Sequence, residues 1–205
     1  MYVSQSGQDK FVDNFFNYRT KGIFLDIGAN DGITLSNTFF LEKEREWTGF
    51  CFEPIQEVYK KLKSNRNCQC INAGVFSESG EFDFYEVKGY SEMLSGLEKT
   101  IDNRHLERIK REINQYGGSL EVKKVKCINI NDFLIQNKCT KIDYCSIDTE
   151  GSEIEILKSI DFSKINIKVI TVENNFNENT IFNYMLQNGY VWYTKLAHDD
   201  VFIKI

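Results

Sequence analysis

The residues of this chain that could do chemistry gather where apolar runs end. The first group is Phe24-Leu25-Asp26-Ile27-Gly28-Ala29-Asn30-Asp31-Gly32, an apolar run that passes straight into a glycine turn. Glycines in such a turn let the backbone come close to a ligand. A dinucleotide site would use G-x-G-x-x-G and turn bare helix N–H groups toward a pyrophosphate. Here the spacing is G-x-x-x-G, with the acidic Asp26 and Asp31 around it. Such a mouth repels pyrophosphate and suits a cofactor that carries an ammonium and a sulfonium, the charges of S-adenosylmethionine (SAM). Glu53, followed by Pro54, closes the next apolar run about one βαβ unit downstream, where a carboxylate accepts hydrogen bonds from both ribose hydroxyls. NAD sites share that acid, so Glu53 indicates a ribose without choosing the cofactor. Asn72 and Ala73 end a third run and fall near the adenine by topology.

A second constellation is Ile147-Asp148-Thr149-Glu150-Gly151-Ser152-Glu153, followed by Val172-Glu173-Asn174. In a doubly wound sheet both segments lie on the carboxyl edge, where ligands bind. Asp148, Glu173 and Asn174 can there converge as hard oxygen ligands for Mg²⁺ or Mn²⁺. Glu150 and Glu153 read as caps of the following helix, with Ser152 near its first turn. A last cluster, His198-Asp199-Asp200, offers His198 as a general base in a polar hairpin loop, and without a metal the proton falls to His198 or Asp148. His105 sits in a charged helical stretch and reads as a surface residue.

These groups need a scaffold, and the apolar pattern supplies one. Continuous apolar runs at 22–27, 48–52 and 68–73 are strands of a buried parallel sheet. Helical segments at 33–44 and 56–63 join them, giving a βαβαβ half with right-handed crossovers. Residues 82–87 alternate as a strand, and 97–115 are charged and helix-prone without a clean apolar stripe. Strands at 122–128, 142–147, 167–172, 190–194 and 201–205 follow, interleaved with helices at 131–136, 153–159 and 179–187. The last two strands are close enough to pair as a hairpin, so an antiparallel edge is expected. The fold class is therefore α/β, doubly wound, in a single domain over residues 1–205, with 88–120 as an inserted lid.

Composition narrows the function. A net charge of −5 argues against a nucleic-acid partner, whose phosphates demand clustered Lys and Arg. The apolar runs are strand-sized, so no membrane span is expected, and the N-terminus does not read as a signal peptide. The six cysteines show no C-x-x-C spacing and no nearby His cluster, which suggests reduced core residues in a reducing, cytoplasmic compartment.

Taken in order, Ser4-Gln5-x-Gly7-Gln8-Asp9, LDIGANDG, CFEP, IDTEGSE, VEN and HDDVFIK resemble the FkbM family of SAM-dependent methyltransferases over nearly the whole chain. The resemblance implies a class I methyltransferase (Rossmann-like) fold with a seven-stranded sheet and an antiparallel last strand. It implies methylation of a hydroxyl oxygen on a sugar or sugar-containing acceptor, such as a polysaccharide, glycolipid or nucleotide sugar. The SAM-binding set it indicates is Gln8, Asp26, Gly28, Ala29, Asn30, Gly32, Glu53, Pro54, Asn72 and Ala73. Residues 88–120 match worst and are the expected seat of acceptor specificity. The acid–Asn pair Glu173-Asn174, preceded by Asp148, is also similar to the metal triad of catechol-type O-methyltransferases. Two other readings stay open: a non-catalytic SAM- or nucleotide-binding partner subunit, and a nicotinamide-dependent oxidoreductase. Acceptor identity, the position methylated and the oligomeric state are not fixed by the sequence.

Overall fold

Alternation along Ile23–Ile27 sends Phe24 and Asp26 to one face and Leu25 and Ile27 to the other, and helices cover both. The computed structural model describes residues 1–205. Its elements run α1 (Gln8–Phe15), β1 (Ile23–Ile27), α2 (Phe39–Arg45), β2 (Thr48–Phe52), α3 (Gln56–Asn65), β3 (Gln69–Ile71) and β4 (Gly74–Phe76). They continue with β5 (Gly80–Lys88), β6 (Gly96–Leu97), α4 (Asn103–Tyr116), β7 (Ser119–Asn129), α5 (Ile130–Gln136) and β8 (Lys141–Ile147). The chain closes with α6 (Glu153–Lys158), β9 (Asn166–Glu173), α7 (Asn179–Gln187), β10 (Tyr190–Leu196) and β11 (Asp199–Lys204).

Seven strands form the main sheet in the order β10-β11-β9-β8-β1-β2-β3. Only β11 runs against its neighbours, pairing antiparallel with both β9 and β10. On one face Leu25, Ile27, Cys145 and Ile170 pack against Ile130 and Leu134 of α5, Ile156 of α6 and Met185 of α7. On the other, Phe24, Tyr144 and Val169 pack against Val12 of α1, Leu41 of α2 and Leu62 of α3. The fold is the α/β doubly wound class that the sequence indicates. All six cysteines are free thiols, and no helix is long and apolar enough to cross a membrane.

Three expectations change. The strands expected at 82–87 and 122–128 exist, but they leave the main sheet and build a second one, β4-β7-β5-β6, around Phe76, Phe84, Leu97, Val125 and Cys127. The helix expected from residue 33 starts only at Phe39. Asp31 holds the chain in a turn, its Oδ1 accepting from the N–H groups of Ile33 and Thr34 at 2.8 Å, and Leu35 adopts a φ of 56°. The middle helix, α4, does carry an apolar stripe: Ile101 just before it, then Ile109 and Ile113, four residues apart, seat with Leu94 and Val87. The charged faces to either side hid so narrow a seam.

The loop between β1 and α2 is gathered around one buried cation. The guanidinium of Arg66, 0% exposed, donates to Glu42 Oε2 at 2.6 Å, to the Gly32 carbonyl at 3.2 Å and to Thr38 Oγ1 at 2.9 Å. Thr38 in turn donates to Asp26 Oδ2 at 2.5 Å, which lies 3.9 Å from Arg66. Removing the guanidinium leaves Asp26 buried without a counterion and Glu42 with only Lys43, 3.5 Å away, so Arg66→Ala is expected to cost about 3 to 5 kcal/mol. Urea denaturation checks this: an unchanged midpoint would show that the loop does not depend on Arg66.

Candidate active site

The carboxyl ends of β8, β1 and β2 are stitched together beyond the strands themselves. Gly28 and Ala29 donate to the Phe52 carbonyl at 3.2 and 3.0 Å, and Asp148 donates to the Ile27 carbonyl at 3.0 Å. Gly28 has a φ of 89°, and a Cβ there would lie 1.7 Å from the Asp148 carbonyl oxygen. The glycine is thus required by the neighbouring chain as well as by any ligand. Gly32 serves a different contact, since its Cβ would meet Leu62 Cδ1 at 2.6 Å and Arg66 Cγ at 2.8 Å. It packs the loop onto α3 and does not line the cavity.

A cavity of about 450 Å³ opens over these strand ends, walled by both sheets. Gln8, Asp26, Gly28, Ala29, Asn30, Glu53, Pro54, Asp148, Glu173 and His198 all line it. Asn72 and Ala73 do not; the Asn72 amide donates to the carbonyls of Glu53 and Pro54, and the next two residues, Gly74 and Val75, reach the cavity instead. Asp31 is likewise spent on its own turn. Asp26 lines the cavity from below, with Oδ2 already held by Thr38. Burial raises its pKa and Arg66 pulls it back. Glu53 is buried, its Oε1 accepting from Ile55 N–H at 2.7 Å, and burial pushes its pKa up to about 7.

The expected metal set does not assemble as drawn. Asn174 turns away from the cavity, its Nδ2 donating to Asp200 Oδ2 at 2.7 Å and its Oδ1 accepting from Glu178 N–H at 2.8 Å. Glu150 takes its place, and carboxylate oxygens of Asp148, Glu150 and Glu173 lie within 4.8 Å of one another. Glu150 is therefore no helix cap; a φ of 58° throws its side chain into the cavity. Glu153 does the holding, accepting from Thr149 N–H at 2.9 Å and Gly151 N–H at 3.0 Å. His105 is not a surface residue either. It is 4% exposed, with Nε2 2.9 Å from the Leu94 carbonyl and Nδ1 3.4 Å from Glu150 Oε2. His198 stands exposed in the two-residue turn between β10 and β11, at the cavity rim. Asp199 beside it is buried and accepts from Gln8 Nε2 at 2.9 Å, which ties α1 to the site.

Residues 26–192 match the family model described as the methyltransferase FkbM domain. The chain belongs to the FkbM methyltransferase family. No curated protein matches it. Among solved structures it is similar to methyltransferase FkbM from Methylobacillus flagellatus KT, with 13% identity, a TM-score of 0.52, and coverage of 98% of this chain and 48% of that one. It is also similar to the METTL16 MTase domain, with 10% identity, a TM-score of 0.52 and coverage of 95% and 65%. A third likeness is to the human methyltransferase 10 domain containing protein, with 11% identity, a TM-score of 0.50 and coverage of 96% and 79%. At these identities the likeness is one of fold. The chain spans about half the length of the Methylobacillus protein.

Membership implies SAM as the cofactor, and the residues present fit it. Glu53 offers a buried carboxylate to a ribose, and Gly28, Ala29 and Asn30 offer backbone at close range. Asp148, Glu150, Glu173 and Asp199 gather in the cavity beside that turn, which favours a sulfonium. Burial pushes Asp148 up to about 8, with the charges of Asp199 and Glu153 adding to it. Burial also raises Glu150 and Glu173 well above the usual carboxylate range, each reinforced by Asp148, while Arg108 pulls Glu150 back.

An acid whose pKa rises on folding keeps a proton that the unfolded chain releases. Native stability therefore falls as pH climbs from about 4, the ordinary carboxylate range, through the raised folded values. The cofactor-free protein in EDTA is expected to resist urea better at about pH 5.5 than at about pH 8.5, and Asp148→Asn should flatten that slope. A midpoint independent of pH in this window would show that folding does not raise these carboxyl groups.

Proposed function

We propose that this FkbM methyltransferase transfers the methyl group of SAM to a hydroxyl oxygen of a sugar or sugar-containing acceptor. The observation that carries the reading is the set of three mutually close carboxylates, Asp148, Glu150 and Glu173, facing the cavity beside the cofactor turn. SAM, when bound, supplies a methyl group on a sulfonium. An alcohol is a weak nucleophile at neutral pH and must lose its proton as the new C–O bond forms, so a base near the methyl group is required. A carboxylate whose pKa is lifted toward neutrality by burial and by like charges is matched to that task. The acceptor oxygen must also lie in line with the methyl carbon and the sulfur.

The acceptor wall is mixed in charge. Glu86, Lys88, Glu92, Ser95 and Arg108 line it, all from the second sheet, its connections and α4. Donors and acceptors interleaved in this way suit a polyhydroxyl compound such as a polysaccharide, glycolipid or nucleotide sugar. Residues 88–120 thus supply acceptor specificity in this reading. His198, exposed at the rim, is the reserve base. Asp148, Glu150 and Glu173 are also the oxygens that would hold Mg²⁺ or Mn²⁺, and such an ion would make a bound hydroxyl more acidic. The proposed proton transfer does not use it, because the carboxylates can relieve their repulsion by sharing protons.

Glu53→Ala is expected to weaken binding of S-adenosylhomocysteine (SAH) by about tenfold to a hundredfold, the worth of a charge-assisted hydrogen bond, and calorimetry reads it directly. Glu150→Gln and Glu173→Gln should keep SAH affinity and lower kcat by roughly 10² to 10⁴ in a turnover assay over a panel of sugars and sugar nucleotides. A protein that binds SAH but methylates none of the panel would favour the non-catalytic partner. EDTA is expected to leave turnover intact; loss of turnover reversed by Mg²⁺ or Mn²⁺ would reassign the three carboxylates as ligands.

A further inference from the structure

Two buried side-chain oxygens have no hydrogen-bond partner, Asn37 Oδ1 and Glu86 Oε2. Lys123 meets the second as an ion pair, so the Asn37 carbonyl alone is left over. Asn37 is 8% exposed and lines the cavity. Its amide does not swing freely, because Nδ2 donates to the hydroxyl of the buried Ser146 at 2.9 Å. A buried carbonyl without a donor costs about 1 to 3 kcal/mol, so its retention calls for a ligand that supplies one.

The surroundings say what kind of donor. Asp26 and Ser146 lie beside Asn37 on the same sheet face, and Asp148 and Asp199 line the same cavity. Asp26 is balanced by Arg66, but Asp148 and Asp199 have no ion-pair partner, and they disfavour an anionic group and favour a cationic one. SAM has two cationic centres, and the sulfonium has no hydrogen to donate. Its adenine amino group belongs with the far end of the ligand, beyond the ribose that Glu53 takes. The remaining donor is the α-ammonium of the methionine portion. We infer that Asn37 is a cofactor-specificity residue whose Oδ1 accepts a hydrogen bond from the α-ammonium of SAM, with Ser146 holding the amide in register. The inference rests on the SAM-dependent reading above.

Calorimetry with SAH and with its desamino analogue, which keeps the carboxylate and lacks the amine, separates the possibilities. The wild-type protein should prefer SAH by about tenfold or more, as for a hydrogen bond to a charged group. Asn37→Leu should weaken SAH by that factor and leave the desamino analogue unchanged, and Asn37→Asp, which still presents an acceptor, should restore the preference. If Asn37→Leu does not fold, Asn37→Ser withdraws the carbonyl while keeping a polar group toward Ser146, and it is read in the same way. Equal wild-type affinity for the two ligands overturns the inference without any variant, and so does an equal loss for both in the Leu variant. A wild-type protein that binds neither ligand defeats the SAM-dependent reading instead.

Discussion

The backbone of Gly28 and the carbonyl of Asp148 lie so close that no side chain fits between them, and the site's arrangement follows from this approach. A Cβ at Gly28 would sit 1.7 Å from the Asp148 oxygen. Because β1 and β8 are adjacent in the sheet, their carboxyl ends carry the cofactor turn and the acid turn side by side. The N–H of Asp148 reaches back to Ile27, and those of Gly28 and Ala29 reach across to Phe52. Glu53, one residue beyond Phe52, is thereby fixed relative to both turns. The two turns and Glu53 are placed by one short stretch of backbone, which carries the groups of the proposed cofactor and base sites.

The acids of the cavity fall into two classes according to what balances them. Asp26 has a permanent counterion in Arg66, relayed through Thr38, and its task is to hold the loop from Gly28 to Thr38 in shape. Asp148, Glu150 and Glu173 have no such partner at hydrogen-bonding distance. Arg108 acts on Glu150 from further away, and His105 meets it edge-on. A cluster of that kind is costly in the empty protein and relieved by bound positive charge. In the proposed function, the same repulsion that lowers stability at high pH prepares the site for a sulfonium and for an alcohol's proton. Stability and function are opposed here in the way expected of an active site.

Much of this was legible because parallel strands advertise their ends. Glu53, Asp148 and Glu173 each close an apolar run, Asp26 stands one residue before the end of its own, and each lines the cavity. The errors share a cause, which is that neighbouring residues do not point the same way. Glu173 faces the cavity on the side of Thr171, and Asn174, the next residue, turns to Glu178 and Asp200 instead. Alternation in the strand should have separated the pair. Glu150 reaches the cavity through a left-handed backbone conformation, which a sequence does not show before a glycine that could itself have absorbed the turn. Gly32 looked like ligand-facing backbone because its real partners, Leu62 and Arg66, are far along the chain.

The middle of the chain shows how a helix can look polar and still be built into a site. Along α4, His105 and Ile109 occupy one buried line while Arg104, Glu107, Arg108 and Lys110 stay exposed. The imidazole is fixed at both nitrogens: Nε2, facing the Leu94 carbonyl, must carry hydrogen, and Nδ1 then meets the Glu150 carboxyl group. Gly96 and Gly151 let the second sheet press on the acid turn, for a Cβ at Gly96 would lie 3.0 Å from the Glu150 carbonyl and one at Gly151 2.9 Å from that of Thr100. Thr100 and Ser152 join hydroxyls at 2.7 Å across the same contact. The cavity wall built by the second sheet and α4 and the Glu150 carboxyl group are therefore parts of one packed unit. A change in residues 88–120 that altered the fit of α4 would reach Glu150 through His105, so in the proposed function acceptor choice and the chemistry of the base are coupled through one contact.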